Sequence, residues 1–422
     1  MLKKINGLIY ILFILYIFLL PYLKFGIPVR GFMFAPSDFL LLSIIFFIAC
    51  SIAANKFTFV FCGEFKKFLA VEMFFIVLVG LSGFNVTAIK PFILSFFPYI
   101  YAFFLTVAFG YAYTYYGNNL LLSIRRAILW TSLISMVPLV MYFCGVHIDM
   151  FFNEVSKNKY VFLCKNPNQY AVFLTTGLSI FLMISIIYRL NVKRGLIFAA
   201  LIIVAILFTA SRSVLLYGLF VIFFYIFYVY SLHIRIVKIE FSRFIRLLFF
   251  RAIISFLLVI FCLAGYAVLK KSVLNFPAAK KSFSGLTSIR DIKLNPRRLI
   301  TMKEGIEVFS EHCIIGVGLG NFRPFYSSLE KEIHNTIISL LAETGLVGFT
   351  GYIFLIGFLI MKLIRSKINI IQSITFFGFL IGYFAINMTH YMLRERWIWL
   401  YFLVIIAIFD VTSRECIQNS DI

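Results

Sequence analysis

A polar insert of about 65 residues, Lys270 to His334, carries the side chains best suited to chemistry on an anionic substrate. It holds 11 of the 39 Lys and Arg residues of the chain. Within it, Arg297 and Arg298 follow Asn295-Pro296, a pair typical of the N-cap and first position of a helix. The free N–H groups and the dipole at such a helix start favour phosphate, and two guanidinium groups strengthen that preference. The sequence therefore predicts an anion site at this helix start.

The same segment predicts a short amphipathic helix, because apolar residues recur at helical spacing after Arg298. They are Leu299, Met302, Ile306 and Phe309. Such a helix can lie along a membrane surface with its charges in solvent. An interfacial helix without a phosphate site explains the pattern equally well, so both interpretations stay open.

Arg212 lies in the run Thr209-Ala210-Ser211-Arg212-Ser213, between two apolar segments that leave room only for a tight turn. Its guanidinium group is therefore expected at the membrane boundary. One interpretation is an anchor whose charge reaches the lipid headgroups. The other is a diphosphate ligand, because the donors of arginine match phosphate oxygens and the small neighbours leave space for a cavity.

His334-Asn335 stands directly before an apolar segment, so an imidazole is expected near the first turn of the next helix. A neutral imidazole there can accept a proton from a sugar hydroxyl, although a structural histidine gives the same pattern. Glu343 follows about two and a half turns further along that helix. We expect its carboxylate to be buried and to need a partner.

The run Gly316-Val317-Gly318-Leu319-Gly320 superficially resembles a nucleotide-binding loop. No predicted strand precedes it and no βαβ unit is predicted around it, which argues against that function. We expect instead a turn in which glycines, including Gly318 and Gly320, let the backbone approach another element closely.

The elements that must position these residues are membrane helices. The chain is 62% apolar, 19% aromatic and 13% charged, which excludes a soluble domain. Apolar segments near the length of a membrane span repeat from end to end. We predict an all-α polytopic membrane protein with about 12 transmembrane helices, at residues 5–23, 39–54, 68–84, 92–113, 127–146, 170–188, 196–210, 214–230, 249–269, 336–361, 370–391 and 398–410.

The distribution of basic residues predicts the orientation, because loops rich in Lys and Arg stay on the cytoplasmic side. With both termini in the cytoplasm, inner segments hold 19 Lys and Arg residues, against nine on the outer side apart from the insert. The net charge of +22 then reflects this bias and contacts with anionic membrane lipids, and it does not require nucleic acid. No cluster of His, Cys and carboxylate residues has the spacing of metal ligands, so no metal is expected.

Taken in order, these residues resemble the O-antigen polymerase and ligase family, whose members transfer lipid-linked glycans. The resemblance is strong over about Asn166–Gly351. A tryptophan that is common one turn after the Arg298-like position is Met302 here, which affects packing more than chemistry. The residues that carry the resemblance are Asn166-Pro167-Asn168-Gln169-Tyr170-Ala171, Ser211-Arg212, Arg298 with Phe309, Gly316 to Phe322, His334-Asn335, and Glu343-Thr344-Gly345-Leu346-Val347-Gly348.

This resemblance implies a GT-C-like fold in the bacterial inner membrane, with transmembrane helices 1–9 in residues 1–269 and helices 10–12 with a cytoplasmic tail in residues 335–422. Residues 270–334 would form one long periplasmic loop containing short amphipathic helices and the active site. The implied activity is that of an inverting glycosyltransferase that uses neither metal nor cofactor.

The donor would be a glycan on undecaprenyl diphosphate, and the acceptor a second glycan. Arg212 and Arg298 would hold the diphosphate and offset the charge of the leaving group. His334 would orient or deprotonate the acceptor hydroxyl. Further candidates are Arg297 and Arg290 for the diphosphate, and Asn335, Glu343, Asn168, Gly318 and Gly320 as supporting residues.

Three functions remain open. A polymerase adds one lipid-linked glycan to the repeat unit of another, whereas a ligase adds the glycan to lipid A-core. The glycine run and the stretch from His334 to Leu346 resemble the polymerase side more closely, and a chain-length regulator is then a candidate partner. A lipid-linked glycan flippase is more distant, because few charges are predicted inside the membrane.

Overall fold

The chain forms two compact units in a computed structural model that describes residues 2–29, 32–54, 61–146, 148–152, 160–164, 166–209, 211–233, 296–366 and 368–420. The first unit comprises Met1–Thr131, Lys293–Lys367 and Ala385–Ile422. The second unit comprises Ser132–Ile292 and Ile368–Phe384.

The described elements are almost entirely α-helical. Two short antiparallel strands, β1 (Ile27–Val29) and β2 (Phe32–Phe34), pair with Ile27 opposite Phe34. A 3₁₀ turn, Leu81–Asn85, follows the third helix. The helices are α1 (Leu2–Leu19), α2 (Pro36–Ala54), α3 (Gly63–Gly80), α4 (Ile89–Phe143), α5 (Pro167–Ile187), α6 (Val192–Thr209), α7 (Arg212–His233), α8 (Pro296–Glu311), α9 (Phe322–Phe325), α10 (Thr336–Arg365), α11 (Ile370–Asn387) and α12 (Arg396–Ser420).

Within the described residues, eight helical segments are long and apolar enough to cross a membrane. The prediction of an all-α, multi-pass membrane protein is therefore confirmed. The segments are Pro36–Ala54, Gly63–Asn85, Ile89–Phe143, Pro167–Ile187, Val192–Thr209, Ser213–Ser231, Thr336–Arg365 and Ile370–Asn387.

The predicted number of twelve spans is not confirmed. The span predicted at 92–113 falls within α4 and the one at 127–146 extends three residues beyond its end at Phe143, while the helical conformation of α4 is interrupted between them at Gly117, with φ 45° and ψ −121°. At the N-terminus the apolar helix is the shorter segment Lys4–Leu19. The span predicted at 398–410 falls within α12, and the one at 249–269 lies outside the described residues.

In the first unit, α3 and α12 pack against α10 around Phe75. The ring of Phe75 lies 5.6 Å from that of Tyr99 and 6.4 Å from that of Trp399, centroid to centroid. Gly351 on α10 has no side chain to separate this helix from Phe75. This apolar core supports α10, the helix that begins directly after His334-Asn335.

In the second unit, α5 is the most buried of the helices that qualify as spans. In its most apolar stretch of 18 residues, 94% of the residues are buried inside the protein. The helix begins at Pro167, three residues before the predicted span, and Asn166 Oδ1 caps it by accepting a hydrogen bond of 2.8 Å from the Gln169 N–H. Nearby, α6 ends at Thr209 and α7 begins at Arg212, which confirms a tight turn at this point.

Candidate active site

Helix α8 begins at Pro296, as its sequence predicts, while Asn295 lies outside the described residues. Its packed face contains Thr301, Gly305 and Val308, which are buried. Gly305 lies against the side chains of Ile333 and Ile338, so that α8 sits close to the start of α10. Val308 belongs to a small apolar core with Val317, Phe322, Ile333 and Ala342.

The apolar stripe predicted on α8 lies mainly outside this packed face. Leu299 is 45% exposed and Ile306 is 56% exposed, while Met302 and Phe309 are partly buried. The helix therefore has an apolar surface in addition to the one that it buries against the protein. Such a surface fits the predicted position at a membrane interface.

The loop that follows α11 is tied to the start of α10. Asn335 caps α10 by accepting a 3.0 Å hydrogen bond from the Ile338 N–H, and its amide nitrogen donates to the Met388 carbonyl at 3.4 Å. The Thr336 hydroxyl donates to the His390 carbonyl at 2.8 Å and accepts from the Met392 N–H at 3.2 Å. These bonds hold His390 beside the residue pair that contains His334.

Arg298, His334 and His390 are close enough to influence one another electrostatically. Burial lowers the pKa of His334, the positive charges of Arg298 and Lys331 lower it further, and Glu332 opposes this change. Burial, together with the charges of Arg298 and His334, lowers the pKa of His390 to about 3. Burial also lowers the pKa of the half-buried Arg298. Both imidazoles are therefore neutral at pH 7, and His334 is the better proton acceptor, because the pKa of His390 is too low for it to act as a base.

His390 was missed by the sequence reasoning, which extended the preceding span to residue 391. The structure ends α11 at Asn387 and places His390 in the following loop. The signal that could have identified it is the polar run between Thr389 and Arg396, which separates the last two apolar segments.

Glu343 is buried and has the partner that its position requires. Its Oε2 atom lies 3.3 Å from Nη2 of Arg394, whose Nη1 atom lies 3.3 Å from Oε1 of Glu332. The backbone N–H groups of Gly320 and Phe322 also approach the Glu343 carboxylate. The sequence reasoning predicted the need for a partner but did not identify Arg394.

The glycine run fits into a break in α10. Gly345 interrupts this helix with φ 63° and ψ −165°. On one side of the break, the Val317 and Gly318 N–H groups donate to the carbonyls of Ala342 and Glu343 at 3.1 and 3.0 Å. On the other side, the Leu346 and Val347 N–H groups donate to the carbonyls of Cys313 and Ile314 at 2.8 and 3.1 Å. The loop thus satisfies the backbone groups that the break leaves unpaired.

The other side of the glycine run packs against the end of the 3₁₀ turn and the start of α4. Gly316, Gly318 and Gly320 have φ values of 69°, 90° and 76°. A Cβ atom on Gly318 would collide with Val86, and one on Gly320 would collide with Ser95. Asn321 Oδ1 accepts a 2.8 Å hydrogen bond from the Ala88 N–H. The predicted close backbone approach is confirmed.

The structure thus brings Arg298 and His334 together in the first unit, which also contains Asn335, Glu343, Gly318 and Gly320. Arg297 is exposed on α8, and Arg290 lies outside the described residues. The second unit contains Arg212, where α7 begins, and the half-buried Asn168 in the first turn of α5. The roles of these residues remain predictions.

Comparison with known families finds a match between residues 197–353 and the family model described as O-antigen ligase. The matched segment contains Arg212, Arg298 and His334, together with Glu343. No curated protein matches the chain significantly.

Proposed function

We propose, because residues 197–353 match the family model described as O-antigen ligase, that this chain polymerises undecaprenyl-diphosphate-linked oligosaccharide repeat units at the periplasmic face of the inner membrane. The observation that carries this proposal is the clustering of Arg298, His334 and His390 where α8 packs against the start of α10. These groups offer one positive charge and two neutral imidazoles, of which His334 is the proton acceptor.

In the proposed reaction, Arg298 binds the donor diphosphate. A hydroxyl oxygen of the acceptor glycan forms a bond to the anomeric carbon of the donor sugar. The bond between that carbon and the diphosphate oxygen breaks, and its electron pair stays on undecaprenyl diphosphate, which gains a negative charge. The guanidinium group stabilises this charge. Attack from the side opposite the leaving group inverts the anomeric configuration. The further diphosphate ligands that the sequence suggests are Arg212, Arg297 and Arg290.

The proton of the acceptor hydroxyl passes to His334. Burial and the charge of Arg298 lower the pKa of this imidazole, so it is neutral and ready to accept a proton. A bound diphosphate offsets the charge of Arg298 and therefore raises the basicity of His334. The base becomes stronger when the donor is in place.

The exposed apolar residues of α8 support a site at the surface of the membrane. These residues, Leu299 and Ile306, suit the boundary between headgroups and acyl chains. Arg298 adjoins Leu299 in the same first turn, so its guanidinium group lies at the level where a lipid diphosphate meets water. A lipid-linked donor has its diphosphate at this boundary, because its lipid lies in the membrane and its glycan lies in water.

A ligase remains the second candidate, because the matching family model is described as O-antigen ligase. Surface-sugar gels of a deletion strain distinguish the two functions. Loss of a polymerase leaves a single repeat unit on the core, whereas loss of a ligase leaves bare core and stranded lipid-linked polymer.

Complementation of that strain tests the residues. Variants with His334→Ala or Arg298→Ala should fail to restore the pattern, whereas Lys303→Ala should restore it, because the Lys303 side chain is 81% exposed on the same helix. Full restoration by the His334 and Arg298 variants at wild-type membrane levels contradicts the assigned roles.

A further inference from the structure

The guanidinium group of Arg394 joins two carboxylates that flank the His334 segment in sequence. One is Glu332, two residues before His334, and the other is Glu343, in the first segment of α10. Each nitrogen–oxygen distance is 3.3 Å. A single planar group with several donors can bridge two carboxylates in this way, whereas an ammonium group cannot keep the same geometry.

The two ends of the bridge differ in their surroundings. The side chain of Glu343 is only 6% exposed, so its charge depends on Arg394 for compensation. The guanidinium carbon of Arg394 lies 4.5 Å from the centre of the Tyr391 ring, and the Tyr391 hydroxyl is 2.6 Å from that of Tyr99. The Arg394 guanidinium group and the Glu343 carboxylate are therefore fixed in position. The side chain of Glu332 is 49% exposed, and Arg394 holds it in place.

The neighbours of His334 are held as well. Ile333 is buried in the apolar core beneath α8, and Asn335 caps α10. His334 itself takes part in none of these contacts. We propose that Arg394 is a positioning residue for glycosyl transfer, because it holds Glu332 and thereby keeps His334 beside Arg298. This inference rests on the proposed function. Arg394 does not touch the substrate in this account, because its Nη1 and Nη2 atoms pair with carboxylates and its guanidinium group is held between them.

The test uses variants that open the bridge without leaving a buried charge unpaired. Glu332→Gln releases only the exposed end, and Arg394→Lys keeps a positive charge beside Glu343. We expect each to lower the kcat for transfer about 10- to 100-fold, since small misplacements of a catalytic group have effects of this size. The KM for the donor should stay close to that of the wild type, because Arg298 is intact. The double variant should be no worse than the poorer single one.

A second measurement follows the position of His334 without any substrate. Diethyl pyrocarbonate modifies neutral imidazoles, and mass spectrometry reports the rate at His334 in the purified full-length protein at alkaline pH. Glu332→Gln and Arg394→Lys should change this rate several-fold, because the segment is no longer held.

Arg396→Lys is the matched control. Arg396 pairs with buried Asp38 at 2.6 Å and lies over the ring of Tyr101, so it resembles Arg394 in its surroundings but has no bond to Glu332. Arg396→Lys should leave both the kcat and the His334 modification rate unchanged.

The inference is overturned if Glu332→Gln and Arg394→Lys both show the kcat and the modification rate of the wild type. It is also overturned if Arg394→Lys and Arg396→Lys have equal effects. If the wild type transfers no glycan, the proposed function fails, and the modification rates still decide whether Arg394 holds His334.

Discussion

Gly345 lies so close to Ile314 that a Cβ atom on the glycine would collide with the isoleucine carbonyl oxygen. The contact joins the break in α10 to the loop that carries the glycine run. On the other side of the break, a Cβ atom on Gly316 would meet the carbonyl group of Glu343. Two backbones therefore cross here without side chains between them. This crossing fixes the end of the first segment of α10, the segment that begins directly after His334-Asn335.

Substitution of Gly345 by alanine should destabilise the protein. The backbone at φ 63° and ψ −165° lies in a region that is essentially confined to glycine and costs about 1–3 kcal/mol for a residue with a Cβ atom, and the collision with Ile314 adds to this cost. Thermal unfolding of the purified protein in detergent should show a lower Tm. The control is Gly357→Ala in the same helix, where open space surrounds the position and alanine should be neutral or stabilising by up to about 1 kcal/mol. Equal Tm values for the two variants contradict the described crossing.

The pKa of His334 should lie below its ordinary value of 6.5, because burial and the charge of Arg298 disfavour the imidazolium form. Arg298→Gln removes a positive charge, so the pKa should rise, and Glu332→Gln removes a negative charge, so the pKa should fall. NMR titration of histidine-labelled protein measures both changes. If His334 acts as the base, transfer is lost as the pH falls through this pKa. An unchanged pKa in Arg298→Gln would show that the two groups are not neighbours.

The exposed apolar stripe of α8 should matter for a lipid-linked substrate. Replacing Leu299 and Ile306 together by glutamine removes two apolar side chains from the predicted interface, and each is worth on the order of 1–2 kcal/mol when buried. We expect the KM for the donor to rise about tenfold or more in lipid nanodiscs, with a smaller effect on kcat. The matched variant Lys303→Gln with Glu307→Gln changes the polar face of the same helix. If both double variants behave alike, α8 does not contact the bilayer as proposed.

Local features of this fold could be predicted from the sequence because short-range chemistry determines them. Asparagine and proline mark the start of α5, and the glycine run indicates a close backbone approach. The burial of Glu343 and its need for a partner followed from its place in an apolar helix. Hydropathy also identified the class of protein, since it depends only on composition and length.

The tertiary pairings could not be predicted in the same way. Arg394 and His390 belong to a loop that hydropathy had partly assigned to the preceding span, and only the bonds from Asn335 and Thr336 bring this loop to the start of α10. Nothing in the local sequence distinguishes Arg394, which pairs with Glu343, from Arg396, which pairs with Asp38. Hydropathy separates the two predicted spans of α4 but cannot show that a kink at Gly117 joins them, because this interruption is a matter of backbone conformation.

The most direct test of the central claim is turnover by the purified protein in detergent, with undecaprenyl-diphosphate-linked glycan as both donor and acceptor. The wild type should form longer lipid-linked glycans without a second compartment, and His334→Ala should lower the kcat by about 10²- to 10⁴-fold, as expected for loss of a general base. Lys303→Ala should match the wild type. Wild-type turnover by His334→Ala would contradict the assigned base. Absence of turnover in the wild type, with movement of the lipid-linked glycan across vesicle membranes, would identify a carrier instead of a transferase.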